Sequence, residues 1–349
     1  MELSAKQKEI VETTASEVVV IAAAAAGKTR VLAERVKHLL STGVDPKKIV
    51  IITFTNAAAE ELAERIGRPQ GLFIGTIHSY ANYLLLASGT ETDEYLQKQE
   101  FDELFELVKK NRHCIKEVDH LLLDESQDSN RSQFEFLLSM VNPKNYMFVG
   151  DYRQSIYRWN GAYPQFIIDL AEDPAVTVYD LNENYRNGTD ILSYAKSIIN
   201  LAGYDYQDHS IPMCNTRGKV IDVEYSPSAI AKTIKKYGNY GDWFILTRKN
   251  SEIDDMCRAL KAFGVPYDTF KRAQLDNKEL NKKMKEDTVK VLTIHTSKGL
   301  EAPNVVVVGA KFFNLEEKCI SYVAATRAKD LLVWTRQQPA RKVRTESWE

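Results

Sequence analysis

Residues 18–29 constrain the fold more than any other segment. Val18-Val19-Val20-Ile21 is an aliphatic run of the kind found in strands buried on both faces. Ala22-Ala23-Ala24-Ala25-Ala26-Gly27-Lys28-Thr29 follows, and then Val31, Leu32, Val36, Leu39 and Leu40 recur at helical spacing. A strand that turns straight into a helix aims successive backbone N–H groups at one point, and the helix start adds a partial positive charge there. The pattern G-x-x-x-x-G-K-[ST] is met except that Ala22 holds its first place. Read as a phosphate-binding loop, the segment brings Lys28 to the β- and γ-phosphates of a nucleotide and the Thr29 hydroxyl to Mg2+. An alanine-rich helix start with a chance Gly-Lys-Thr is the competing reading. The aliphatic run before the loop and the helical spacing after it favour the phosphate site. Loops of this kind usually carry several glycines, and here only Gly27 does so.

Composition sets the outer limits. A chain of 349 residues has room for about two domains. Its 44% hydrophobic and 27% charged residues match an ordinary globular chain, and no apolar run approaches a membrane span, so no membrane partner is expected. The formal net charge of −2 supplies no global field for nucleic acid, so such binding has to come from a local patch. Cys114, Cys214, Cys257 and Cys319 lie far apart with neither metal nor disulfide spacing, which fits a reducing compartment. Met1-Glu2-Leu3-Ser4 lacks the features of a secretory signal. A cytoplasmic protein is expected, in the host cytoplasm if a phage encodes it.

Short aliphatic runs alternate with helical patterns along the chain. Strands are expected at 18–22, 49–54, 72–75, 119–123, 146–150 and 176–179, then at 219–224, 243–247, 289–294, 304–308 and 331–335. Runs such as Val305-Val306-Val307-Val308 suit parallel strands covered on both faces. Helical spacing is clear at 188–202, 227–237 and 251–263. The alternation predicts α/β architecture twice over, with a boundary near 178–182 and domains of 1–180 and 181–349. Segment 271–287, rich in Lys, Asp, Glu and Asn, reads as a solvated connector, and the polar tail 336–349 as a frayed end.

A second chemical signal follows His120-Leu121-Leu122-Leu123, which ends in Asp124-Glu125. A carboxylate at the end of a buried strand beside a phosphate loop is where Mg2+ is held. Asp124 would take the metal, and Glu125 would orient and activate the attacking water. An acidic pair ending a strand is common by itself, but the continuation Ser126-Gln127-Asp128 is distinctive.

With these residues in place, a series of segments resembles the motifs of superfamily 1 DNA helicases of the UvrD/Rep type. Leu3-Ser4-Ala5-Lys6-Gln7 resembles the adenine-reading Q motif. Thr53-Phe54-Thr55-Asn56-Ala57-Ala58-Ala59 resembles motif Ia, and Gly75-Thr76-Ile77-His78-Ser79 the next DNA-contacting motif. Asp124-Glu125-Ser126-Gln127-Asp128 is similar to motif II, and the run from Val149 to Trp159 to motif III. Asn184-Tyr185-Arg186 resembles motif IV, Thr293–Glu301 motif V, and Tyr322–Ala328 motif VI. The matches run in family order from residue 3 to residue 328.

The resemblance implies two RecA-like domains, each a mostly parallel sheet flanked by helices, with ATP in the cleft between them. It implies ATP and Mg2+ as cofactors. Gln154 becomes the γ-phosphate sensor, and Arg186 and Arg327 become arginine fingers. Arginine suits that role because it stays charged and forks onto phosphate oxygens; an arginine met alone is more often in a surface ion pair. Gln7 would read adenine, Tyr185 stack on it and Glu301 contact the ribose, with Arg30 and Gly299 in the same nucleotide site. Single strands are held by stacking and by contacts to the backbone. Phe54, Tyr157 and Trp159 match positions that contact bases, while Thr55, Asn56, Thr76, His78 and His295 belong to DNA-contacting motifs. Without the resemblance, core packing would be the better reading of Phe54 and Trp159. The expected function is an ATP-dependent translocase and helicase acting on single-stranded and tailed duplex DNA, 3′ to 5′, as a monomer. The alternative is an ATP-gated single-stranded DNA-binding accessory protein. A helicase–nuclease is not expected, since few residues follow motif VI.

Departures from the family pattern matter as much. Larger members carry inserted subdomains between the Gly75–Ser79 motif and motif II and between motifs IV and V. Here the first is cut to a helical patch near 80–118 and the second is absent, which implies a minimal two-domain motor. Asn160 stands where arginine usually follows the tryptophan, Ala302 replaces an aromatic residue, and Ala25 replaces a loop glycine. If that loop position needs a left-handed backbone, alanine costs roughly 1–2 kcal/mol there.

Overall fold

A computed structural model describes residues 2–98, 101–200, 206–270 and 282–336. The chain divides into two compact units, Met1–Asn184 with His209–Ile211, and Tyr185–Asp208 with Pro212–Glu349.

In the first unit, six strands form one sheet: β1 (Glu17–Ala22), β2 (Ile49–Thr53), β3 (Phe73–Thr76), β4 (His120–Leu123), β5 (Asn145–Gly150) and β6 (Thr177–Leu181). Their order is β3-β2-β4-β5-β1-β6, and every pairing is parallel. Parallel neighbours need crossover connections. α1 (Ala5–Glu12) precedes β1, and the connections hold α2 (Lys28–Ser41), α3 (Asn56–Ile66), α4 (Ile77–Ala87), α5 (Asp93–Lys98), α6 (Glu103–Lys110), α7 (Arg131–Glu135) and α8 (Gln165–Glu172). The helical patch expected near 80–118 is thus α4 to α6.

The strand period of two sorts the aliphatic side chains onto both faces. Val18, Val20, Ile49, Ile51, Leu122, Met147 and Val149 pack with Val31, Leu32 and Val36 of α2. Their alternates Val19, Val50, Ile52, Leu121, Leu123 and Phe148 pack with Tyr80 and Leu84 of α4 and Phe105 of α6. Coverage on both faces is why these strands read as unbroken apolar runs. At the N-terminal edge of the sheet, Lys48 bridges Glu117 and Asp119 at 2.9 and 3.6 Å, and Lys144 bridges the same pair at 2.5 and 2.9 Å. Hydrogen bonds from Lys144 and Lys48 hold the Glu117 carboxyl down at about 2.

Two-residue strands β7 (Glu183–Asn184) and β8 (Ile211–Pro212) mark where the chain passes from one unit to the other. The second sheet contains β9 (Lys219–Glu224), β10 (Trp243–Thr247), β11 (Tyr267–Thr269), β12 (Val289–Thr293), β13 (Ala302–Val308) and β14 (Ala328–Arg336). Its order is β11-β12-β10-β13-β14-β9, again parallel throughout. Helices α10 (Pro227–Tyr237) and α11 (Asn250–Ala262) cover one face, where Ile230, Ile234, Met256 and Leu260 meet Trp243, Ile245, Val291 and Val306. Helices α9 (Thr189–Ile199) and α12 (Leu315–Ala325) lie together against β14.

Strand β11 is an addition to the expected set. Residues 271–281 of the polar connector and the tail from 337 lie outside the described residues. Where the chain re-enters the sheet, buried Lys290 donates to the Glu286 carbonyl at 2.7 Å and to the Thr288 carbonyl at 3.0 Å. Among the described residues, no helix is long and apolar enough to cross a membrane.

Candidate nucleotide and nucleic-acid site

In a parallel sheet the C-terminal strand ends share one edge, and ligands of open α/β sheets bind outside that edge. In the first unit the loop after β1 closes a turn through an Ala26 N–H to Ala23 carbonyl bond of 3.2 Å. Ala25 takes φ +60° and Gly27 φ +83°. Only glycine occupies such angles at no steric cost. Gly27 meets a second limit: a Cβ there would lie 3.1 Å from Gln7 Nε2. Ala22, Ala23, Ala24 and Ala26 are buried, which fixes the loop from beneath.

Gln7 is placed by a capping box. Ser4 accepts from the Gln7 N–H, and the Gln7 side-chain oxygen accepts from the Ser4 N–H. Its Nε2 then donates to the Ala26 carbonyl at 3.1 Å, so the residue expected to read adenine is tied to the phosphate loop. Lys28, Thr29 and Arg30 open α2 and are half-buried.

Asp124 continues β4 through a bond to the Ile52 carbonyl and is buried. Glu125 adopts a left-handed backbone, φ +49° and ψ +41°. For a residue with a Cβ this is strain of the sort that collects at functional sites. Lys28 Nζ stands 3.6 Å from Glu125 Oε1. The other carboxylate oxygen accepts from Gln127 Nε2 at 2.5 Å. The Gln127 side-chain oxygen in turn accepts from the Asp151 N–H at 2.9 Å. Asp151 accepts from Gln154 Nε2 at 2.7 Å and from Arg153 Nε at 2.6 Å. A chain of polar contacts therefore runs from the phosphate loop through Glu125 and Gln127 to the segment after β5. Gln127 is fully buried and shapes its surroundings: a Cβ on Gly150 would fall 2.6 Å from its side-chain oxygen.

The residues expected to meet DNA follow β2, β3 and β5 along the same edge. Thr55 and Thr76 spend their hydroxyls capping α3 and α4, accepting from Ala58 and Ser79 N–H groups. Both helix starts thereby face the C-terminal edge, a favourable place for phosphate oxygens. Asn56 is exposed. Phe54 and Tyr157 stack on each other with ring centroids 5.0 Å apart, and Tyr157 is only 5% exposed. Trp159, by contrast, is 62% exposed, with its ring tilted against that of Tyr157 at a centroid distance of 6.4 Å. His78 lies face-on to Phe105 and pairs with Asp102 at 3.3 Å, contacts made by α6 and the residue before it. From β2 to β1 is three strand steps, about 14 Å.

In the second unit, Glu301 and Arg327 immediately precede β13 and β14, whose first residues pair as Ala302 with Ala328. Arg186 Nε donates to Glu301, and Arg186 Nη1 to the Thr326 carbonyl at 3.2 Å. Lys329 reaches the other Glu301 oxygen at 2.7 Å. Burial opposes ionisation of Glu301, yet the charges of Arg186 and Lys329 hold its carboxyl below the usual range. Arg327 is 2% exposed and donates from Nε to the Val323 carbonyl and from Nη1 to the Leu300 carbonyl. Three expected residues of this unit, Arg186, Glu301 and Arg327, are thus brought together. Tyr185 directly precedes Arg186 in sequence. Gly299 takes φ +87°, and His295 follows the C-terminal end of β12. Arg248 makes a two-pronged contact with Glu317, at 3.0 and 2.9 Å, anchoring the start of α12.

Two structural roles were not assigned from sequence. Gln127 and Asn184 both lie within motifs that do not announce their bonds, and the Asn184 side chain donates to the Ala24 carbonyl at 3.0 Å. A polar residue inside an otherwise buried string was the available signal, but its partners are far away in sequence.

Comparison with known proteins agrees with this geometry. The family model for the UvrD/REP helicase N-terminal domain matches residues 3–113 and 99–175, and that for the UvrD-like helicase C-terminal domain matches 268–338. The chain is similar to the ATP-dependent DNA helicase Rep of Escherichia coli (strain K12), 28% identical over 57% of this chain and 43% of Rep. A probable DNA helicase of Mycoplasma pneumoniae is 26% identical over 95% of this chain and 82% of that protein. The ATP-dependent DNA helicase PcrA of Staphylococcus epidermidis is 24% identical over 76% of this chain and 50% of PcrA. The chain therefore spans about half the length of Rep and PcrA. With the family motifs in order, and the matched regions holding both the phosphate loop and the residues around Arg327, the chain belongs to the UvrD/Rep helicase family.

Proposed function

We propose that this chain is a DNA-stimulated ATPase that moves along single-stranded DNA, 3′ to 5′, and separates short duplexes. The observation that carries the reading is the polar relay Lys28–Glu125–Gln127–Asp151–Gln154. It joins residues suited to ATP hydrolysis to the segment that bears Tyr157 and Trp159.

Lys28 neutralises the β- and γ-phosphates, and Glu125 orients the attacking water. Gln154 senses the γ-phosphate. Thr29 and Asp124 would hold Mg2+, which supplies charge neutralisation on the phosphate oxygens. One hydroxyl and one carboxylate fit this ion, which keeps waters and phosphate ligands rather than an all-protein cage. No group of three or more metal-binding side chains exists among the described residues. Gln7 and Tyr185 hold adenine, and Glu301 the ribose. Arg186 and Arg327 stabilise charge that develops in the transition state.

ATP contacted by both units would favour a closed arrangement through differential contacts, and hydrolysis would release it. Trp159 stacking on bases gives sequence-independent grip. The test is phosphate release with and without single-stranded DNA. DNA should stimulate turnover, and Glu125→Gln should cut the stimulated rate by about 100-fold or more. Absence of stimulated turnover would sink the motor reading and leave an ATP-gated DNA-binding protein. Unwinding of 3′-tailed against 5′-tailed duplexes decides direction.

A further inference from the structure

We propose that Asn187 is the positioning residue for Arg327 and locks the two arginines into one frame. Asn187 is fully buried. Its amide nitrogen donates to the Thr326 carbonyl at 3.1 Å and to the Ala328 carbonyl at 2.5 Å. These are the carbonyls on either side of Arg327. Both can only accept, so the two hydrogens of the amide match them and an oxygen in that place would not. Thr326 caps α12 and Ala328 begins β14, so Arg327 sits at a helix-to-strand joint where the last helical carbonyls need outside partners.

The neighbours of Asn187 extend the same seam. Arg186 Nη1 also donates to the Thr326 carbonyl, and the Gly188 N–H donates to the Lys329 carbonyl at 3.0 Å. The seam has no slack on its far side. A Cβ on Gly188 would fall 2.6 Å from the Gly218 nitrogen. Arg327 directs its own side chain along α12, onto the Val323 carbonyl. The guanidinium is held by the Val323 and Leu300 carbonyls, and the Cα from which it reaches them is fixed by the backbone that Asn187 grips. A misplacement of about 1 Å in a transition-state contact can cost about 100-fold in rate.

The inference rests on the proposed role of Arg327, and the experiment separates the two. ATP turnover with saturating single-stranded DNA is measured for Asn187→Ala and Arg327→Lys, singly and combined. Asn187→Ser, which keeps one donor, guards against a folding failure of the alanine variant. Asn187→Ala should lower kcat per folded molecule about 10- to 100-fold with the KM for ATP nearly unchanged, and Asn187→Ser should fall between it and the parent. In the Arg327→Lys background the Asn187 changes should add little, because the residue they position is already gone. A kcat per folded molecule equal to the parent, or a loss that multiplies in full onto Arg327→Lys, overturns the positioning role. Parental turnover by Arg327→Lys itself would overturn the assignment of Arg327, and the inference with it.

Discussion

Ala25→Gly should stabilise the first unit, the reverse of what glycine usually does. Ala25 holds φ +60° at the third position of the turn closed between Ala23 and Ala26. A left-handed backbone costs a residue with a Cβ about 1–2 kcal/mol. Glycine removes that cost but adds about 0.4–1 kcal/mol of freedom to the unfolded chain. The net expectation is a gain between zero and about 1.5 kcal/mol. Ala24 is the internal control. It is 1% exposed and is not one of the residues with positive φ, so Ala24→Gly relieves nothing and should destabilise by about 0.5–1 kcal/mol from flexibility alone. Two compact units make a single melting temperature ambiguous. The better measurement is native-state hydrogen exchange of the β1 amides of Val19, Val20 and Ile21, which reports opening of this unit. Phosphate release should be equal or faster in Ala25→Gly. A loss of protection as large as that of Ala24→Gly, or a large loss of ATPase, would refute the strain argument.

Two other expectations follow from exposed groups. Trp159→Ala should weaken single-stranded DNA binding by about 1–3 kcal/mol with little change in thermal stability, because the ring is 62% exposed; equal affinity by fluorescence anisotropy would remove it from the DNA path. Glu117 has a folded pKa of about 2 against an ordinary 4.5, so its stabilising effect is complete above the ordinary value and is lost as pH falls through about 2. Glu117→Gln should flatten that part of the acid dependence in urea midpoints taken from pH 5 to pH 2, and an unchanged slope would rule the contribution out.

Much of this was legible because both sheets are parallel. Buried parallel strands produce runs such as Val18–Ile21 and Val305–Val308, and the chemistry sits beside them. Strand β11, Tyr267–Thr269, leaves no signal in the sequence because its three half-buried residues carry no aliphatic run; it exists through pairing with β12. Ala25 does take the left-handed angle on which strain in the alanine-rich loop depends. The burial of Tyr157 against Phe54 was not legible, since it depends on how the loops after β2 and β5 meet. Nor were the bonds that tie Gln127 to Asp151 and Asn187 to Thr326, whose partners lie 24 and 139 residues away. Sequence periodicity reports which face a residue takes, not which distant carbonyl it will find.

The strand orders also explain how the family layout tolerates editing. β3 and β11 are both outermost in their sheets, and each is followed by the segment where larger relatives are expected to carry an inserted subdomain. A chain that leaves a rim strand can travel any distance before it re-enters, without threading between strands already paired. The entropic penalty for a longer excursion grows only logarithmically, about 0.6 kcal/mol for each doubling. Both rims are therefore natural graft points. Modules placed there could be exchanged while β1, β4 and β5, and the relay they support, keep their spacing.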